Sequence, residues 1–178
     1  MSRITATPGV SLRVASARSG WLARVADYVE LTKPRIVVLE LVTVVVAAHL
    51  ASPWGIVPVV LLHTVLGAAL VAASAGAFNQ WWEQSADGRM VRTAHRPLPS
   101  GRLSASQVVV FGTITLFAGT AELSLGAGLT TAGFALATWL VYVLAYTPLK
   151  TRSPLNTAVG AVSGALPILI GWKLLKKV

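Results

Sequence analysis

The sequence predicts an all-α fold, a polytopic bundle of transmembrane helices, and three observations carry that expectation. Hydrophobic residues make up 54% of the 178-residue chain and charged residues 12%, with a mean hydropathy of +0.69. A single soluble core of this length could not hide so much apolar sequence. The apolar residues also arrive in long unbroken blocks, without the alternating dyads of barrel strands, so each block must satisfy its own backbone as a helix. Finally, the basic residues fall in alternate junctions between the blocks. A formal charge of +9 on a soluble protein would suggest nucleic acid. Here the cations are divided among the loops of a membrane protein, which excludes a nucleic-acid partner and makes the lipid bilayer the partner. With no cysteine in the chain, disulfide scaffolds and thiolate metal sites are excluded too.

Residues 1–28 are expected to form a disordered basic tail. The first 26 hold four arginines, four serines and no acid, and they lack the apolar run of a secretory signal. Such a composition also fits a mitochondrial presequence. Five apolar blocks follow, Ile36 to Leu50, Ile56 to Phe78, Val108 to Leu125, Leu129 to Tyr146 and Thr157 to Trp172. Each has about 15 to 23 residues, near the roughly 20 that a helix needs to cross a bilayer. Glu40 in the first block and His63 in the second are expected to make interhelical hydrogen bonds or lie near the interface, ahead of any functional role.

Arg3, Arg13, Arg18, Arg24, Lys33 and Arg35 precede the first block, Arg89, Arg92, Arg96 and Arg102 follow the second, and Lys150 and Arg152 follow the fourth. The opposite junctions carry no basic residue, so these twelve charges place the N-terminus in the cytoplasm or its topological equivalent. A fifth crossing would deliver Lys173, Lys176 and Lys177 to the wrong side. Residues 173–178 therefore read as an atypical basic tail, and either the fifth block does not fully cross or the chain is part of a longer protein. Pro148 and Pro154 are expected to end helices. The spacing of Gly160 and Gly164 is expected to let two helices pack closely.

The longest polar stretch, Asn79 to Arg102, follows the second block. Asn79, Glu83 and Asp87 stand four residues apart, so on a helix each is rotated by only about 40° from the last and the three share one stripe. Such oxygen donors suit Mg²⁺, which commonly completes its shell with water and substrate phosphates. A diphosphate would then find Arg89, Arg92 and Arg96 just downstream, with Lys150 on the same side of the bilayer. The competing reading is a solvated loop with ion pairs worth less than about 1 kcal/mol each, and plain charge anchoring for Lys150. Trp81 and Trp82 read as an interfacial aromatic belt.

Four separated strings carry a more specific signal: Tyr28 to Arg35, Asn79 to Pro99, Tyr146 to Lys150, and Gly164 to Trp172. Together they resemble the UbiA-type intramembrane prenyltransferases, and within that superfamily the protohaem IX farnesyltransferase (haem O synthase) branch. The resemblance implies a bundle of about nine spans, of which about five are present, so that residues 29–172 would be part of a UbiA-type domain. It also implies a lipid-open cavity for a farnesyl chain and two acid-rich loops that bind Mg²⁺ and diphosphate. Asn79, Glu83 and Asp87 would be the catalytic and metal-binding residues of the first loop, with Arg89, Arg92, Arg96 and Lys150 binding substrate. Glu83 departs from the commoner aspartate, and its longer side chain can ligate from the same face.

The implied reaction moves the farnesyl group of farnesyl diphosphate to protohaem IX. Diphosphate leaves the allylic carbon, a haem vinyl group captures it, and water completes the product. No acid follows Glu122, so the second acid-rich loop is missing, which makes a truncated and inactive form the expectation. A bacterial inner membrane is the implied location, with the mitochondrial inner membrane as alternative. Association with haem A synthase or oxidase assembly is left open. A prenyltransferase acting on an aromatic acid or quinone precursor is the nearest alternative, and a non-catalytic membrane subunit or half-transporter is the alternative from another class.

Overall fold

The computed structural model describes residues 20–52, 55–150 and 152–172. Helix α1 (Trp21–Leu31) lies at the entry to the bundle, and α2 (Pro34–Ala51) follows after two residues, with Pro34 in its first turn. Helix α3 (Pro58–Asp87) has 30 residues. At 1.5 Å per residue it runs about 15 Å past the roughly 30 Å of bilayer hydrocarbon, so its last turns stand in the polar region. Helix α4 (Ala105–Gly126) starts at a capping box in which Ser104 and Gln107 satisfy each other's backbone N–H. Helix α5 (Leu129–Leu140) continues into a π-helical stretch, Val141–Tyr146, and the short α6 (Thr147–Leu149). Helix α7 (Asn156–Trp172) completes the described part.

Four helical segments are long and apolar enough to cross a membrane, Pro34–Ala51, Pro58–Asp87, Ala105–Gly126 and Leu129–Leu149, and α7 is a shorter apolar helix. There is no strand among the described residues. The chain is an all-α integral membrane protein, and the five expected spans coincide with these helices. Large apolar side chains such as Phe117 and Leu125 lie on its outer surface, where lipid is the solvent.

Helices α3 and α4 make the most extensive contact. A Cβ on Gly119 would sit 2.8 Å from the Gly67 carbonyl oxygen, so only glycine lets the two backbones come this close. Helix α7 packs against α2 and α5 and closes the ring. Val44, Ala48, Val71, Leu123, Ala132 and Ile170 form the core between these helices. A second apolar cluster joins Leu31, Ala77, Leu98, Leu103 and Val108, and it fixes the polar segment between α3 and α4 on the end of the bundle.

Several local expectations need revision. Helix α1 occupies part of the region read as a basic tail, while residues 1–19 and 173–178 lie outside the described residues. Pro148 does not stop its helix. It cannot donate to the carbonyl of Leu144, and the turn upstream widens into the π stretch instead. Gly160 does serve close packing, against the ring of Tyr146, but nothing lies within 4 Å of a Cβ placed on Gly164, which faces open space. His63 makes the expected interhelical bond, 2.7 Å to Glu122. Glu40 does not.

Candidate functional site

The last turns of α3 present Asn79, Glu83 and Asp87 on one buried stripe, at 1%, 8% and 4% exposure. A buried carboxylate is costly unless it is paired. Each member of the stripe meets a cation from a different element. Lys33, between α1 and α2, donates to Asn79 Oδ1. Lys150, after α6, donates to Glu83 Oε1 at 2.9 Å, and Arg96 donates to Asp87 Oδ2 at 2.5 Å. The other end of the Asn79 amide donates to Thr147 Oγ1 at 3.1 Å, and the Thr147 hydroxyl donates to the Tyr142 carbonyl at 2.9 Å. The widened π turn thus sets Thr147 over the Tyr142 carbonyl, which accepts from both its backbone N–H and its hydroxyl.

The segment carrying Arg96 is fastened at several points. Thr93 Oγ1 donates to the Asp87 carbonyl at 2.9 Å. Arg102 bridges Asp27 and Glu30 of α1 and donates to the His95 carbonyl at 2.7 Å. Leu98 and Leu103 are buried beneath it. Of the four cations expected to meet a phosphate, Arg96 and Lys150 reach the stripe. Arg89 donates instead to the Ser85 carbonyl of its own helix at 3.1 Å, and both Arg89 and Arg92 are exposed.

Lys33 is the contributor that the stripe's sequence gives no sign of, 46 residues away from Asn79. Its backbone is left-handed at φ 55°, an unusual conformation for a residue with a Cβ. Burial pushes its ammonium down to about 8, against the opposing pull of Glu83. Its legible signals are its place just before a proline at the mouth of the first span and within the Tyr28 to Arg35 string.

Lys33 also lines a cavity of about 660 Å³ between α2, α3, α5, the π stretch and α7. That is within the roughly 300–1,000 Å³ typical of ligand pockets. Its walls are mainly apolar, with Ile36, Val71, Ala135, Trp139 and Ile170 among them. Tyr142 and Tyr146 stack at 5.3 Å on one side. The molecule thus offers a charged head-group site next to an apolar tail site.

Among the described residues no cluster of three or more His, Cys, Asp or Glu side chains could cage a metal. The donor set on the stripe, two carboxylates and an amide oxygen, suits a hard cation that takes its other ligands from water and a bound phosphate.

The model of the UbiA prenyltransferase family matches residues 41–177. The protohaem IX farnesyltransferase of Rhodopirellula baltica is 49% identical over 144 residues, covering 81% of this chain and 50% of that protein. Those of Solibacter usitatus and Myxococcus xanthus are each 44% identical, over 82% and 88% of this chain and 53% of each relative. The chain spans about half the length of these relatives. A solved structure described as digeranylgeranylglyceryl phosphate synthase aligns with a TM-score of 0.75 at 20% identity, covering 83% of this chain and 52% of that one, a likeness of fold.

Proposed function

Because the chain belongs to the UbiA prenyltransferase family, we propose that it takes part in moving a farnesyl group from farnesyl diphosphate to protohaem IX, giving haem O. The observation that carries this reading is the row of three cations and three oxygen-bearing side chains at the mouth of an apolar cavity. An amphiphile with a diphosphate head and an isoprenoid tail has the matching division of charge and grease. The protohaem IX farnesyltransferases among its relatives support the choice of donor and acceptor.

Asn79, Glu83 and Asp87 would hold Mg²⁺, which supplies charge neutralisation for the departing diphosphate. The chain's own residues do the rest. Arg96 and Lys150, positioned by the carboxylates, present their remaining N–H groups to the diphosphate oxygens, and Lys33 joins them from the cavity side. Preorganised donors of this kind stabilise charge as it develops on the leaving group. The guanidinium of Arg96 can bind two oxygens at once, whereas the lysines act as point charges. Arg89 and Arg92, exposed at the rim, draw the anion toward the mouth. The apolar walls exclude water from the allylic carbon until it has been captured. The stripe would face the cytoplasm of a bacterial inner membrane.

Binding tests this reading. The chain is reconstituted in lipid nanodiscs and titrated with labelled farnesyl thiodiphosphate, which resists cleavage. Capture should require Mg²⁺ and should weaken at least about tenfold in the Glu83→Ala, Asp87→Ala double variant, a loss of about 1.4 kcal/mol. Capture that ignores both Mg²⁺ and these side chains would overturn the assignment and favour a non-catalytic membrane subunit.

A further inference from the structure

The cavity contains one group that the diphosphate chemistry leaves unused. Glu40 lies on α2, seven residues beyond Lys33, and both side chains line the cavity. Among the described residues it is the one carboxylate in the cavity lining. Three hydroxyls of the lining are spoken for: Thr43 donates to the Leu39 carbonyl, Thr138 to Phe134 and Ser163 to Gly160, at 3.1, 2.8 and 3.0 Å. Among the described residues Glu40 enters no side-chain hydrogen bond and no ion pair. Tyr142 lines the same cavity as Glu40 and Lys33, which ties this deeper carboxylate to the head-group site. A carboxylate inside a transmembrane segment is costly, and packing alone gives no reason to keep one there.

We infer that Glu40 is the base that takes up the proton released when the acceptor captures the prenyl carbon. The inference rests on the prenyl-transfer reading and deepens it. The bond from the allylic carbon to oxygen breaks, and its electron pair leaves with the diphosphate. The π pair of the acceptor's vinyl group forms the new carbon–carbon bond, which leaves a positive charge on the acceptor. Water adds to that carbon through an oxygen lone pair, and its surplus proton passes to the Glu40 carboxylate. Diphosphate, the hydroxyalkylated acceptor and one proton on Glu40 balance the reactants. Before the proton moves, the same carboxylate faces the positive charge and lowers its energy. Among the described residues of the lining no other carboxylate is at hand for that proton.

Two measurements test the assignment. Dicyclohexylcarbodiimide, a lipid-soluble reagent for carboxyl groups in apolar surroundings, is applied to the chain in nanodiscs and the product mapped by mass spectrometry. Glu40 should be modified, and farnesyl thiodiphosphate with Mg²⁺ should slow that modification at least about tenfold by filling the cavity. No modification, or modification that ignores the ligand, overturns the inference.

In the second, codon 40 is changed at the chromosomal locus and membranes are assayed for labelled farnesyl transfer to protohaem. Glu40→Gln should lower kcat about 100-fold, the scale of a lost general base, with farnesyl diphosphate KM within about twofold, and Glu40→Asp should recover part of the rate. Wild-type turnover matched by Glu40→Gln sinks the role of Glu40 alone. Wild-type membranes that transfer no farnesyl sink the prenyl-transfer reading itself.

Discussion

Asn79 puts both ends of its amide to work, accepting from Lys33 and donating to Thr147, so its orientation is set by partners on two other elements. Asp87 depends more heavily on a single partner, because its side chain is 5% exposed and Arg96 is the cation beside it. Removing one side of a buried pair costs about 3–5 kcal/mol, and the partial exposure of Arg96 puts this case at the lower end. Arg96→Ala should therefore lose about 3 kcal/mol in a detergent unfolding titration. Adding Mg²⁺ should restore more stability to this variant than to the wild type, because a divalent ion replaces the missing countercharge on Asp87. Arg92→Ala, an exposed site, should change stability by less than about 0.5 kcal/mol with or without the metal. The four-residue spacing made Asn79, Glu83 and Asp87 legible in the sequence, since helical period alone puts them together. Which cations would reach them was not legible. Arg92 lies closer in sequence than Lys150, yet Lys150 is the one brought across 67 residues to Glu83.

Among the elements, α3 is held against α4 by a glycine contact, whereas α7 turns a glycine toward open space. The two should respond oppositely to the same substitution. Gly119→Ala forces a methyl group against the Gly67 carbonyl and the Leu70 and Val71 side chains, and it should cost about 1–3 kcal/mol by thermal unfolding in detergent. Gly164→Ala meets nothing within 4 Å and improves helix propensity by up to about 1 kcal/mol, so stability should hold or rise. It should weaken capture of farnesyl thiodiphosphate, because the added methyl takes space from the cavity. The glycine pattern on α7 could be read as a packing motif because spacing is visible in a sequence. Whether a helix or a cavity lies opposite depends on how the ring closes. The π stretch was hidden for a related reason: Pro148 forbids one backbone hydrogen bond, but the surroundings decide whether the helix breaks or widens.

For the whole molecule, the spans were the most legible feature, since apolar runs of membrane length leave the backbone few alternatives. The gathering of the basic junctions at one end of the bundle agrees with the charge pattern, because Lys33, Arg96 and Lys150 all meet the C-terminal turns of α3. Sidedness can be measured directly, since the chain has no cysteine of its own. Ser100→Cys, in the exposed segment beside the stripe, should react with a membrane-impermeant maleimide only from the cytoplasmic face. Ser52→Cys, at the far end of α2, should react only from the opposite face. Labelling of both from one side would reject the proposed orientation.

The side chain next to the stripe extends this to assembly. Gln80, adjacent to Asn79, donates to the last carbonyls of α1 at Glu30 and Leu31, and Lys33 follows two residues later. The lysine is thus moored to the very turn of α3 that it serves. When a thicker or thinner bilayer shifts that helix along its axis, donor and acceptor travel together, and the entrance keeps its register through changes of lipid composition.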